Sequence, residues 1–311
     1  MSAVREETLA LAARRFAWQR LARIGGIVGI GAVLVMNIPG VADVRRYRSA
    51  AAVLSHLAMS LLGLGLSGHF RRWVERVAAL SSRQRVYALV AALVGPMIVI
   101  VAGLLVAPRY GHEIFTREWG LVEPTQFVLW LTAAWLASER ARVAGRGTAE
   151  YRVFRLGALL GILLALEEVD YLGIVTLLAR AAGVPDGRIG RHHIGGIHDL
   201  INDLGKASLL LGLLALLAVA ALVLGWAMSR GLHRVLIREL FSATSWPLVG
   251  TVVFLAIAQL ADIDHPVLNE FFGQSALVRR IREEPMELLA VICANASLLA
   301  KLAPWMKRTK R

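Results

Sequence analysis

The chain has 311 residues, of which 57% are hydrophobic and only 18% charged, with a mean hydropathy of +0.60. Soluble domains run nearer 45–50% apolar and about a quarter charged, so this composition argues against an ordinary soluble globular domain. The net charge of +13 comes mostly from Arg in short segments between apolar blocks, not from a basic stripe interleaved with aromatics, which argues against a nucleic-acid partner.

The apolar blocks are about as long as a bilayer is thick, roughly 20 residues for a helix. In chain order they predict eight spans, near 21–40, 50–70, 86–107, 121–138, 156–178, 204–228, 246–261 and 286–303. The expected fold class is therefore all-α, a polytopic transmembrane helix bundle. It forms a single membrane domain over 1–311, with 1–20 as a cytoplasmic interfacial segment. Ala-Leu-Ala-Ala-Arg-Arg-Phe-Ala-Trp in that first segment suits a helix lying at the interface. A cleaved signal ending near Gly40 and Ala42 is the alternative, and an uncleaved first span is the expectation. Gly25/Gly29 and Gly157/Gly161 fit the small-xxx-small pattern of close helix packing within one bundle. Cys293, the one cysteine, lies in the last apolar block and reads as a small buried residue.

Lys and Arg give the spans a direction. Alternate connections, beginning with the N-terminal segment, carry 23 basic residues against 12 in the others. Cytoplasmic loops hold the Lys/Arg excess. Both termini are thus predicted to be cytoplasmic, in a bacterial inner membrane, which requires an even number of spans.

The carboxylates then sort unevenly. Six of 22 (Glu6, Glu7, Glu75, Glu139, Glu150 and Glu239) belong to the cytoplasmic side, leaving it about +17 and the remainder about −4. Glu167, Glu168 and Asp170 fall within the fifth apolar block. An acid at mid-bilayer costs about 2.5–3.5 kcal/mol on insertion scales, so these three should face the interior and be protonated, paired or metal-bound. Glu167 and Asp170 share a helix face, and Glu168 points about 100° away. Other acids and histidines gather at outer span ends: Glu123; His192, His193, His198, Asp199, Asn202 and Asp203; Asp262, Asp264 and His265; Glu283, Glu284 and Glu287. Acids at helix N-termini are favoured by the helix dipole, which offers a structural account of Glu123, Asp203, Glu284 and Glu287. His56, His69, His112 and His233 stand apart from this set.

Asp, Glu and His are the ligands of zinc and non-haem iron. The first functional expectation is a metal-dependent membrane enzyme, hydrolase-like, acting on a lipid or lipid-linked substrate. Its metal ligands would be Glu167, Asp170, His193, His198, Asp262 and His265, with Glu168 or Asp199 as catalytic base. Two alternatives stay open. Intramembrane acids beside histidines also mark proton- or cation-coupled transporters. A non-catalytic subunit could instead dock a partner through the acidic outer face. Oligomeric state is not legible.

The motif order Gly120-Leu121-Val122-Glu123, Glu167-Glu168, His198-Asp199 and Glu283-Glu284-x-x-Glu287 resembles a group of uncharacterised bacterial multi-pass membrane proteins. Members carry Gly-Leu-Ile-Glu, Glu-Glu-x-x-Trp-Gly-Gln, an Asn-x-His-Asn-like loop and a late Glu-Glu-x-x-Glu. The resemblance spans about the last two-thirds of the chain through short motifs. Asp170-Tyr171-Leu172-Gly173 departs from it where members have Ser-Trp-Gly-Gln. The resemblance implies that these acids belong together, and it implies no substrate.

Overall fold

A computed structural model describes residues 18–32, 34–35, 44–106, 121–168, 225–241, 246–262 and 276–308, with isolated positions at 214, 217, 218, 221 and 222. The described residues are helical, with short turns between helices and no strand. The helices are α1 (Val44–Ala79), α2 (Ser82–Val106), α3 (Val122–Ala144), α4 (Ala149–Glu167), α5 (His233–Phe241), α6 (Trp246–Asp262) and α7 (Ala276–Arg308). Residues 18–32 are also helical.

Among the described residues, two stretches are long and apolar enough to cross a membrane, Arg83–Gly103 in α2 and Glu283–Leu302 in α7. Their surroundings differ. The α7 stretch is mostly buried and the α2 stretch mostly exposed. On α2 the exposed side chains include Val90, Val94, Ile98, Val99 and Val101. Water does not favour such a surface, whereas lipid does. Shorter apolar helices run over Leu54–Leu66 and Trp246–Ala261.

Helix α7 is the hub, packing on α1, α2, α3 and α6. Its Leu288, Val291 and Ala294 join Val122, Trp130 and Ala133 of α3, Ala165 of α4 and Ile100 of α2 in the main core. A second apolar layer, Leu136 with Leu299 and Leu302, continues the α3/α7 seam.

The α3–α4 contact is among the two most extensive, and its residues are small. A Cβ on Gly161 would stand 3.1 Å from the Ala134 backbone nitrogen, so glycine is what lets the helices touch. The two helices form a hairpin closed by Gly145 and Gly147, at φ 84 and 88°, a conformation that L side chains rarely adopt. Thr148 then caps α4, its hydroxyl accepting from the Tyr151 amide at 3.0 Å. Gly29 meets Ala58 of α1 in the same close manner. The expected small-residue pairs therefore pack within the chain. Cys293 is buried, with its Sγ 3.1 Å from where a Cβ on Gly250 of α6 would sit.

Two boundaries differ from expectation, and both bear on the acids. The fifth block predicts an unbroken helix over 156–178, but α4 ends at Glu167 with Glu168 as its C-cap. The eighth span, expected near 286–303, corresponds to the apolar stretch Glu283–Leu302, although the helix that carries it, α7, extends back to Ala276. Apolar periodicity marks where a helix can be buried, not where its backbone starts. The Val-Arg-Arg-Ile-Arg turns before Glu283 are helical without being apolar.

Candidate functional site: a carboxylate cluster

Three helices bring acids to one end of the bundle. Glu123 lies in the first turn of α3, Glu167 and Glu168 at the end of α4, and Glu284 and Glu287 in α7. The chain direction accounts for the meeting. α3 and α4 form an antiparallel hairpin, so the start of one lies beside the end of the other. Helix α7 packs along α3.

Glu168 sits at the centre electrostatically. It is desolvated by its surroundings, and the described charges acting on it are, in decreasing strength, Glu287, Glu284, Glu123 and Glu167. All four are carboxylates. Its sequence neighbour Glu167 acts on it least, so the cluster is a tertiary arrangement and not a property of one helix.

The helix dipole favours only part of this arrangement. Glu123 is well placed at an N-terminus. Glu167 and Glu168 stand at the C-terminus of α4, where the dipole opposes a negative charge. Glu284 and Glu287 are more than two turns inside α7, beyond the reach of its N-terminal dipole, which fades within one turn. The structural account offered by the sequence thus holds for Glu123 and fails for Glu284 and Glu287.

Gln126 ties the cluster together. It is fully buried on α3, and its Nε2 donates to the Glu284 carbonyl oxygen at 2.9 Å and to Glu287 Oε2 at 3.5 Å. Its Oε1 is buried with no hydrogen-bond partner. Sequence reasoning missed this residue. The signal was present: Glu123 and Gln126 are three apart and share a helix face. Asn295 was missed too. It is buried further along α7, its Nδ2 donating to Leu129 O at 3.0 Å and Val291 O at 2.9 Å, with Oδ1 left without a partner. A polar side chain in an apolar block is a signal in itself.

Of the other expected site residues, Asp170, His193, His198, Asp199, Asp203 and His265 lie outside the described residues, and for Asp262 only the backbone, the last residue of α6, is described. Among the described residues, no three acid, histidine or cysteine side chains converge closely enough to hold a metal ion directly. His56, set apart in the sequence reading, packs edge-on against Phe127 with ring centroids 5.8 Å apart, beside Gln126.

The opposite ends of the same helices are basic and paired. Arg238 of α5 meets Glu150 of α4, Arg140 lies 4.0 Å from the same carboxylate, and Lys301 Nζ is 2.5 Å from Glu239 Oε2. Arg140 also stacks over Phe154, 5.1 Å from the ring centroid.

No family model, curated protein or solved structure matches this chain.

Proposed function

We propose that the chain is an integral membrane protein of about eight spans, with both termini cytoplasmic, in a bacterial inner membrane. Its function resides in a cation site built on the Glu123, Glu167, Glu168, Glu284 and Glu287 carboxylates. The reading that fits best is a metal-dependent membrane enzyme acting on a lipid or lipid-linked substrate. The observation that carries it is the gathering of acids from α3, α4 and α7 around Glu168, with described charges of one sign. Such a set is acceptable in a buried place only with protons, a cation or polar and basic partners to offset it.

The orientation is supported by the way the ends sort. Glu139, Glu150 and Glu239, assigned to the cytoplasmic side by Lys/Arg counting, all make ion pairs at one end. The acids assigned to the outer side meet at the other. Lipid as substrate is supported by an open, wholly apolar cleft of about 500 Å³ between α2, α6 and α7, lined by Leu93, Met97, Phe254 and Leu289. Met97 also packs against the core that underlies the acids.

A bound divalent cation would supply an activated water for hydrolysis of an ester, amide or phosphoester. Glu168 or Asp199 would take the proton from that water. The test is elemental analysis of the purified protein together with hydrolysis of lipid substrates. About one divalent cation per chain is expected, lost in Glu168→Gln and Glu287→Gln along with activity. Protein that is active with no bound cation sinks this reading.

A proton- or cation-coupled transporter is the second reading, favoured by Asn295. Its unpartnered Oδ1 places a second buried polar group on the α3/α7 seam, further inward than Gln126. Flux into liposomes driven by a proton or sodium gradient, without hydrolysis of any lipid, decides for it.

A further inference from the structure

Helix α5, at the basic end of the bundle, carries a surface that the acid cluster does not use. It follows a helix stop. Residues 225–229 are helical, Gly231 has φ 67°, and the Gly231 and Leu232 amides donate to Met228 O at 3.0 Å and Ala227 O at 2.8 Å. That pair of bonds closes a helix and lets the chain leave in a new direction. Leu232 and Val235 are then buried, and α5 packs on α4 and α6. Its 9 residues extend about 14 Å, under half the thickness of a bilayer's hydrocarbon core, so α5 cannot cross one.

The outer face of α5 is basic and apolar together. Arg234, Ile237 and Arg238 are exposed, and spacings of three and four put them on one side. Ile237 is 54% exposed, and Trp226 and Met228, just before the turn, are 44% and 56% exposed. Arg238 is committed to Glu150. Among the described residues, Arg230 and Arg234 have no ion-pair partner, and Glu239, the one acid between 225 and 241, is held by Lys301. Exposed Ile and Trp beside free arginines suit neither water nor the hydrocarbon core. They suit the boundary, where Trp is enriched, arginine reaches the headgroups and apolar side chains enter the acyl layer. Two free guanidiniums complement an anionic headgroup, whose phosphate accepts their hydrogen bonds. We propose that α5 is an interfacial helix that holds anionic phospholipid headgroups, with Arg230 and Arg234 binding phosphate and Ile237 as the apolar anchor. This role rests on the reading of the chain as a membrane protein. With both termini cytoplasmic, the bound lipid belongs to the cytoplasmic leaflet, whose surface is negative.

The experiment uses the full chain purified in nonionic detergent. Phosphatidylglycerol or phosphatidylcholine is added, and bound lipid is counted by native mass spectrometry. Preferential retention of phosphatidylglycerol is expected. Arg230→Gln/Arg234→Gln should weaken it about 25-fold, since each basic residue near an anionic surface contributes about fivefold. Arg142→Gln/Arg146→Gln removes the same charge from exposed positions around the α3–α4 turn and should leave retention unchanged. Size-exclusion profiles check that each variant is folded. If the first double variant does not fold, Arg234→Gln alone decides: a loss of about fivefold is expected, and no loss overturns the proposal. Equal retention of the two lipids by the parent overturns it, as do equal losses in the two double variants. Displacement of phosphatidylglycerol by soluble glycerol phosphate at equal concentration marks a site for any free anion and also overturns it. Each of these outcomes leaves the membrane spans standing. A chain that stays in solution without detergent sinks the membrane reading and this role together.

Discussion

At the basic end of the bundle Glu139 meets Arg142, Glu150 meets Arg238 and Arg140, and Glu239 meets Lys301. At the acidic end the described charges around Glu168 are all of its own sign, and the one described bridge between helices runs through the neutral amide of Gln126. Helices α3, α4 and α7 reach both ends, and α5 adds Arg238 and Glu239 at the basic one. The basic end is arranged so that its charges offset one another within the chain. The acidic end gathers carboxylates of one sign around Glu168. Under the proposed function, stability and activity are separated along one bundle, and substitutions at the two ends should act with opposite signs.

The largest effect is expected at Lys301. Its side chain is only 8% exposed, and Glu239 only 15%. Removing Lys301 leaves Glu239, in a partly buried place, with only the longer contact to the more exposed Arg238 at 3.6 Å, at a cost of up to about 3 kcal/mol. Lys301→Met should lower the thermal midpoint in detergent sharply, and Lys301→Met/Glu239→Gln should recover most of the loss. A double variant no better than the single one would break the view of this end as self-neutralising.

Glu168→Gln should do the reverse. In chelator-treated protein it replaces a desolvated carboxyl, set among four other acids at the unfavourable end of a helix, with a group that cannot ionise. A gain of about 1–2 kcal/mol is expected, within the range for like charges at an effective dielectric near 20. The same variant should lose the extra stabilisation that added divalent cation gives the parent, since only a bound ligand shifts the folding equilibrium. Comparison of the two melting curves, with and without cation, checks both halves. Destabilisation in chelator would mean that Glu168 is already offset within the chain.

How much of this contrast the sequence carried depends on the kind of signal. Lys/Arg counting put Glu139, Glu150 and Glu239 on one side and Glu123, Glu168, Glu284 and Glu287 on the other, and the structure groups them that way. Charge patterning survives folding because antiparallel helices carry it intact to opposite ends. Helix existence was legible for the same reason: the blocks at 86–107 and 246–261 correspond closely to α2 and α6. The ends of helices were not. The Glu167–Glu168 pair lies where hydropathy is continuous, yet α4 stops there. Nor could the sequence say which of Glu167 and Glu168 would matter more. Position on a helix face predicts neighbours within a helix, whereas the strongest influence on Glu168 after its burial is the charge of Glu287 of α7, far along the chain. Gln126 carries no ionisable group to mark it in the sequence, although an amide can orient a carboxylate and also bind a cation.

Between the ends, Asn295 should show an intermediate effect. Asn295→Leu removes two hydrogen bonds to backbone carbonyls but fills the same space with apolar atoms. Interhelical hydrogen bonds in membranes average about 0.6 kcal/mol, so a loss of about 1 kcal/mol is expected. Under the enzyme reading activity should persist. Under the transport reading flux should fall even though the acid cluster is untouched, so this one variant separates the two.

The smallest effect belongs to Arg142. Its pair with Glu139 is on the surface, three residues apart on α3, with the arginine side chain 69% exposed. Exposed pairs of this kind contribute about 0.2–1 kcal/mol and are screened by salt. Arg142→Ala should therefore shift the melting midpoint by a degree or less, in contrast to Lys301→Met at the same end. Nor should it alter topology, because Arg140, Arg146, Arg152 and Arg155 still mark that connection as basic. A reporter fused within 144–148 should stay cytoplasmic in the single variant. Replacing all five arginines should move it, which would show that these side chains matter collectively for orientation and that only the buried pair, Lys301 with Glu239, matters individually for stability.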